Sequence, residues 1–430
     1  MRILLLTQIV PFPPDAGPKV KTWHVLRYLA DNGHHVTLVT FIRPEEQQYI
    51  AELQKVCNEV YTIPIHRSRI RDIFYLIRSQ LRGRPFLIER DDSNEMRSLV
   101  LKLVVEKGFD AIHADQLTMT QFALSPSGQN NSATKDGNKP IINDTYGNQK
   151  IADTLLVFDA HNAVWRIVEE MISNVPMPLK PFVSLEAKRI KQYEGQVICH
   201  FDRTLAVSDI DRSDLLEAVK FSSEGRADHP SIEVIPIAVD TQELHPQEKQ
   251  NGSQNILTLG TLHYPPNADG IRWFLQDVYP LVRAEIDEAT LTIIGKNPPA
   301  DFFDYERRNP SKVQVTGYVP ELDPYFQQAA IAVIPVRAGS GMRVRILEAF
   351  ARGMPVVTTS IGIEGIDAYP GKEVLIADTA QDFAEAVIRL LKDDSLRARL
   401  SANGRKLACE QYDWQVALRK MDLIYKNETI

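Results

Sequence analysis

The stretch "AVIPVRAGSGMRVRILEAFARGMPVVTT", Ala332–Thr359, decides the fold class. Its opening run, "IAVIPV" when Ile331 is included, is short, apolar and β-branched and ends at a turn, which suits a strand buried on both faces of a parallel sheet. The closing "PVVTT" reads the same way. Between them Val344, Leu347 and Ala351 recur at helical spacing, so the order is strand, glycine loop, helix, strand. That is a βαβ unit. In such a unit the loop leaving the strand and the first turn of the helix lie at the carboxyl edge of the sheet, where ligands bind.

The same alternation extends outward from this stretch. Upstream to Asn255 it runs through "NILTLGTL", "ATLTIIGK" and "VQVTGYV", and downstream it continues to "EVLIAD". An earlier series, "RILLLTQIV", "HVTLVTF", "EVYTIPI", "FDAIHAD", "TLLVFDAH", "RTLAVSD" and "IEVIPIAV", is interleaved with helical patterns. Two α/β domains with doubly wound parallel sheets are expected. Between the series, "DTQELHPQEKQNGSQ" is polar and aperiodic and reads as a linker. The expected organisation is a first domain over 1–239, a linker over 240–254, a second domain over 255–411 and a helical tail over 412–430. The tail extends beyond the last strand, and packing back on the first domain is one of its two options. Residues 125–150 carry little apolar material and read as a mobile surface insertion with no assigned function.

A chain of 430 residues is long enough for two or three cores. Hydrophobic content of 44% and charged content of 24% belong to the soluble globular class. A net charge of -7 argues against general attraction to nucleic acid, while leaving room for a local basic patch. The three cysteines, Cys57, Cys199 and Cys409, are widely spaced and fit no metal-ligand pattern, which points to a reducing compartment. The run "ILLL" is broken by Thr7 and Gln8, and no apolar run of about 18 residues occurs, so neither signal peptide nor membrane span is expected. The expected location is cytoplasmic.

The glycine loop has the composition of an anion site. Gly339 and Gly341 let backbone amides approach a ligand, and the helix start behind them carries partial positive charge. Arg343 and Arg345 add permanent charge in a form that holds phosphate oxygens bidentately. Arg345 and Glu348 stand three residues apart, a rise of about 4.5 Å on one helix face. Such a pair suits a nucleoside diphosphate: arginine for the diphosphate, carboxylate for the ribose hydroxyls. The plainer reading is an ordinary helical ion pair beside a chain turn.

At this point the residues resemble a family. "GSGMRVRILEAFARGMPVVTT", preceded by "VTGYVPELDPYFQQAAIAVIPV" and followed by "IGIEGI", is similar to the donor site of family 4 glycosyltransferases. "FDRTLAVSDIDRSDLL", "VIPIAVDTQEL" and "LGTLHYPPNADGIRWF" resemble that family's strand, hinge and second-domain opening. The likeness spans nearly the whole chain except the insertion and is strongest over 256–379. It implies the GT-B fold, two Rossmann-like domains facing across a cleft, with the nucleotide-sugar held mainly by the second. It also implies transfer with retention at the anomeric carbon, without a metal ion or other cofactor. Carried over by residue, the donor site comprises Gly17, Gly339, Ser340, Gly341, Met342, Arg345 and Glu348, with Glu348 on the ribose and Arg345 at the diphosphate. The sequence departs from the family twice: Ser340 stands where a second glutamate is frequent, and the hinge reads "IPIAVD" where an Asn-Gly pair is common.

On the first domain, "IVPFPPDAGPKV" resembles the family loop that closes over the donor phosphate, although Gly17 by itself reads equally as turn chemistry. His161 lies just past an apolar run, hence at a carboxyl edge, where it is a candidate to orient a sugar hydroxyl. Asp159, His113 and Asp115 are weaker candidates. The segment 67–84 carries six arginines and one acid, Asp72, with Ile70, Ile73, Phe74, Ile77 and Leu81 on one helical face. The plain expectation packs that apolar face on the core and leaves the basic face solvated. The alternative docks the segment on anionic lipid or a phosphorylated lipid-linked acceptor.

The chemistry expected is breakage of the bond between an anomeric carbon and a diphosphate oxygen. Arg343, Arg345 and the loop amides would stabilise charge growing on the leaving group, with His161 on the opposite domain. Only one carboxylate stands out, against the two of glycosidases, so front-face attack without a covalent intermediate is expected. The substrates expected are a nucleoside-diphosphate sugar and a saccharide or lipid-linked acceptor, as in polysaccharide biosynthesis. Two other classes of function remain open: a non-catalytic nucleotide-sugar binder, and a nicotinamide-dependent oxidoreductase. The latter is disfavoured because no G-x-G-x-x-G follows the first strand.

Overall fold

Short β-branched runs become parallel strands, because the central ones are apolar on both faces and are covered by connecting helices. The structure, a computed structural model, describes residues 1–124, 154–222, 230–248, 250, 252–339 and 341–425. The 125–150 segment and Ser340 therefore lie outside the described residues.

The first series forms β1 (Arg2–Thr7), β2 (His35–Ile42), β3 (Glu59–Pro64), β4 (Ala111–Asp115), β5 (Leu155–Asp159), β6 (Arg203–Ala206) and β7 (Ile232–Val234). Their spatial order is β3-β2-β1-β4-β5-β6-β7, all parallel. The second series forms β8 (Asn255–Leu259), β9 (Thr290–Ile294), β10 (Val313–Gly317), β11 (Ala329–Ile334), β12 (Val356–Thr358) and β13 (Leu375–Ile376). Its order is β10-β9-β8-β11-β12-β13, again parallel. In each sheet the chain winds outward one way, returns, and continues the other way, leaving a switch point between β1 and β4 and between β8 and β11. Loops at the carboxyl ends of those strands form the crevice in which such sheets bind ligands. The loop after β11 is the glycine loop read from the sequence.

Contacts divide the chain into two units, Met1–Ile235 with the described part of Leu418–Ile430, and Pro236–Ala417. The crossing at Ile235/Pro236 falls inside the "IPIAVD" hinge. Residues 240–245 belong to the second unit and are held there rather than free, although their polar, aperiodic sequence reads as a linker. Thr241 Oγ1 donates to Asp413 Oδ2 at 2.6 Å, and Arg405 donates to the carbonyls of Thr241 and Leu244 at 2.8 and 2.7 Å. Side-chain donors distant in sequence supply an order that no local periodicity announces.

The chain returns to the first unit at Leu418. Tyr28 Oη donates to Asp422 Oδ1 at 3.1 Å, and Lys420 Nζ donates to the Val234 carbonyl at 3.2 Å. Upstream of this return, the stretch 380–411 is not one long helix. It breaks at Asp393, whose carboxylate accepts from the Leu396 amide at 2.9 Å and caps a second helix, Asp394–Leu407.

Close backbone approach fixes one element beside the glycine loop. In the helix Pro265–Trp273, a methyl group on Gly270 would lie 2.0 Å from the carbonyl oxygen of Pro335, the residue that follows β11. Gly270→Ala is expected to reduce stability by about 1–3 kcal/mol in urea unfolding, since a backbone atom must move. Asp269→Ala, at an exposed neighbouring position, should stay within about 0.5 kcal/mol of the parent.

Candidate functional site

The loop after β11 turns twice through the left-handed region. Gly339 has φ 98° and Gly341 φ 90°, conformations that side chains rarely adopt. Arg343 ends the loop as the residue that precedes the helix Val344–Ala351, and its Nη2 donates to the Gly339 carbonyl at 2.5 Å. The loop is thus closed by its own arginine, a bracing role besides the charge expected of it. Met342 is buried, and its Sδ accepts from the Ile237 amide at 3.4 Å. Met342 is thus turned into the packing of the unit.

The helix that follows has already begun at Arg345, so the spacing argument holds: Arg345 Nη1 donates to Glu348 Oε2 at 2.6 Å. Glu348 is buried and Arg345 partly exposed. This is the plain ion pair that the sequence allowed, formed at the mouth of a glycine loop. A guanidinium carries five N–H donors, and the pair with Glu348 orients that of Arg345. Two threonines at the end of the next strand, Thr358 within it and Thr359 just past it, tie the neighbouring edge to this loop. Thr358 Oγ1 donates to the Ile334 carbonyl at 2.7 Å, Thr359 Oγ1 donates to the Val336 carbonyl, and Gly362 donates to Thr359 Oγ1 at 2.9 Å. Nothing in the local pattern of "PVVTT" signals that clasp.

In the first unit the switch point is lined by a buried polar network. Register sets Asp115 of β4 beside Asp159 of β5, and His113 beside Val157. The helix Gly17–Asp31 starts at the half-buried Gly17 and brings Lys21 and Thr22 onto these carboxylates. Lys21 Nζ donates to Asp159 Oδ1, and Thr22 Oγ1 reaches Asp115 Oδ2 at 3.0 Å. His161 Nε2 lies 2.7 Å from Asp115 Oδ1. A carboxylate can only accept, so Nε2 carries the hydrogen and Nδ1 presents a lone pair. Nδ1 has no hydrogen-bond partner among the described residues. His113 completes the network: its Nδ1 is 2.5 Å from Tyr425 Oη, and its Nε2 is 3.5 Å from Asp159 Oδ2.

Burial alone would push the Asp159 carboxyl upward. The Lys21 charge, followed by the His113 hydrogen bond, outweighs it and holds Asp159 well below the usual carboxylate range. Tyr425 moves the other way, raised well above its ordinary value by burial and then by the Asp159 charge, so its hydroxyl keeps its proton. His113, Asp115 and Asp159 bring ligand atoms within 4.8 Å of one another. Lys21 already neutralises Asp159, and Thr22 and His161 occupy Asp115, so the donor set is committed to an ion-pair network.

The segment after His161 is anchored by a residue the sequence reading missed. Glu194 accepts from the Val164 and Trp165 amides at 3.1 and 3.3 Å and caps the helix Val164–Glu170. Burial pushes its carboxyl up to about 8, against the two amides, which act to lower it. Lys21 was also missed, although it shares a helix face with Val25 and Tyr28, a spacing that signals burial.

Comparison with known proteins agrees with this geometry. Residues 253–393 match the family described as "Glycosyl transferases group 1". That match lies within the second unit. The "Uncharacterized 44.6 kDa protein in cps region" of Klebsiella pneumoniae is 22% identical over 425 residues, covering 96% of each chain. The "MMP alpha-(1->4)-mannosyltransferase" of Mycolicibacterium hassiacum is 25% identical over 280 residues, covering 63% of this chain and 65% of that one. The crystal structure of Anabaena Alr3699/HepE in complex with UDP and glucose superposes with a TM-score of 0.64 at 13% identity, covering all of both chains. The two parallel-sheet units have the GT-B fold, as the resemblance implied.

Proposed function

We propose that this protein is a glycosyltransferase that moves a sugar from a nucleoside-diphosphate sugar to a saccharide or lipid-linked acceptor in polysaccharide or glycoconjugate synthesis. The observation that carries this reading is the glycine loop at the β8/β11 switch point, turned through positive φ at Gly339 and Gly341 and followed within one helical turn by the Arg345–Glu348 pair. The Anabaena structure with UDP and glucose and the mycobacterial mannosyltransferase support the substrate class.

The loop amides and the Arg345 fork take the diphosphate, and the fixed Glu348 carboxylate takes the ribose hydroxyls. The bond from the anomeric carbon to the phosphate oxygen breaks, and its electron pair leaves with the diphosphate. Fixed positive charge favours this separated state over the ground state. The acceptor oxygen bonds to the same face of that carbon, and its proton passes to the departing oxygen, so configuration is retained and no sugar is attached to the enzyme. His161 Nδ1 accepts a hydrogen bond from a sugar hydroxyl. The proposed reaction uses no metal ion.

Thermal-shift measurements with uridine, guanosine and thymidine diphosphates and their sugars test the donor site. One of these is expected to raise the melting temperature of the parent, and Glu348→Ala is expected to lose that response. An equal response in Glu348→Ala misplaces the site. The sugar so identified is then offered with candidate acceptors in the presence of EDTA, and the anomeric configuration of the product is read by NMR. An inverted product removes the front-face mechanism, EDTA-sensitive transfer removes metal independence, and binding without turnover on any acceptor returns the non-catalytic binder.

A further inference from the structure

The segment 67–84 is built inside out relative to the plain expectation. The helix Arg69–Arg82 does not turn its apolar face to the core. Ile70 and Leu81 are 82% and 84% exposed, and Ile73, Phe74 and Ile77 between them are more than half exposed. What faces inward is the stripe of Asp72, Tyr75, Leu76 and Ser79, flanked by the half-buried Arg78. Arg78, Arg82 and Arg84 converge on Glu89, a fully buried carboxylate, with Arg82 and Arg84 each at 3.2 Å. Arg67 pairs with the buried Asp91 at 2.6 Å, and Ser79 Oγ donates to the Arg84 carbonyl at 2.7 Å. The polar face is thereby committed to the fold, and the apolar stripe is left outside.

A second element extends the patch. Arg189 donates to Gln80 at 2.8 Å and the Glu186 carboxylate accepts from the Phe86 amide at 2.5 Å, which seats the helix Lys180–His200 beside the end of Arg69–Arg82. One to two turns before Arg189, Leu185 and Phe182 are exposed, as are Leu179 and Met177 in the turn that precedes them. Exposed apolar residues on two neighbouring helices mark an interaction surface.

Charge identifies the partner. Arg69 and Arg71, and Lys180 and Lys188 on the second helix, make no ion pair among the described residues. The one acid of the segment, Asp72, is half-buried. An apolar stripe rimmed by unpaired cations, on a protein of net charge -7, suits a surface that is greasy and locally anionic. Among the described residues no helix is long and apolar enough to cross a membrane. We propose that the exposed face of Arg69–Arg82, continued by Met177–Leu185, docks in the interfacial plane of a lipid bilayer that carries anionic headgroups.

This surface is independent of the sugar-transfer reading, because its test reads lipid and not transfer. The full chain is mixed with vesicles of phosphatidylcholine alone or with phosphatidylglycerol and sedimented. Sedimentation is expected with the anionic vesicles, weakening as salt is raised. Phe74→Glu with Leu81→Glu is expected to weaken vesicle binding at least about 100-fold, since each side chain forfeits about tenfold or more in apolar transfer. Arg69→Ala with Arg71→Ala should lose about fivefold per arginine on anionic vesicles and little on neutral ones. All four positions are exposed, so melting curves should match the parent. The proposal is overturned if the parent stays in the supernatant with anionic vesicles at low salt, or if the glutamate variant sediments like the parent. It is equally overturned if light scattering shows a parent dimer that the glutamate variant converts to monomer, which would make the patch an interface between copies.

Discussion

Arg345→Ala is expected to lower kcat/KM for sugar transfer by about 10²–10³-fold, the cost of removing one preorganised group from a developing negative charge. The loss should fall on kcat more than on KM, because the diphosphate carries more charge as it departs than while esterified. Arg345→Lys is expected to recover only part of the rate, since an ammonium keeps the charge but not the planar fork. The variant also strips a partner from Glu348, which is buried and bonded to Arg345 at 2.6 Å. A melting curve on each variant therefore has to accompany the kinetics. Near-parental kcat/KM in a folded Arg345→Ala protein would remove the diphosphate role from this residue.

The second large effect is on stability. Lys21→Met should cost about 3–5 kcal/mol, because it leaves the Asp159 carboxylate buried with its nearest cation gone. Asp159→Asn in the same chain should return a large part of that loss, since the uncompensated charge goes with it. The pH dependence has a definite sign. Asp159 sits well below the ordinary carboxylate value in the folded protein, so the stability it contributes is fully present above about pH 4 and is lost as pH falls through the depressed folded value. In Lys21→Met, burial without its main counter-charge raises the carboxyl, and protonation then relieves the variant. The gap between parent and variant is thus expected to be widest near neutral pH and to narrow under acid, as followed by urea unfolding at several pH values. A gap that widens under acid would contradict the assigned pairing.

Much of the glycine loop after β11 was legible in the sequence because its signals are local. Gly339 and Gly341 both take positive φ in one loop, and Arg345 and Glu348 are three residues apart on one helix. The thirteen runs read as strands from β-branched composition are the thirteen strands described. Such runs, and helical spacing, report on residues within a few positions of each other, and that range covers a βα unit. The network around His161 was half legible. The edge position of His161, His113, Asp115 and Asp159 followed from the strand ends. The lysine and the tyrosine that complete it did not, because Lys21 bonds a residue 138 positions away and Tyr425 meets one 312 positions away.

The helix Arg69–Arg82 shows where the division lies. The sequence by itself determined a helix with one apolar and one basic face, because side chains 3.6 residues per turn apart must sort that way. It also determined two parallel α/β units and an anion-suited loop after β11. Which face of that helix points inward was decided only by the tertiary structure. Glu89 and Asp91 are buried there, and a buried carboxylate must find cations, so the guanidinium groups of Arg78 and Arg82 reach to Glu89 and the apolar stripe turns out.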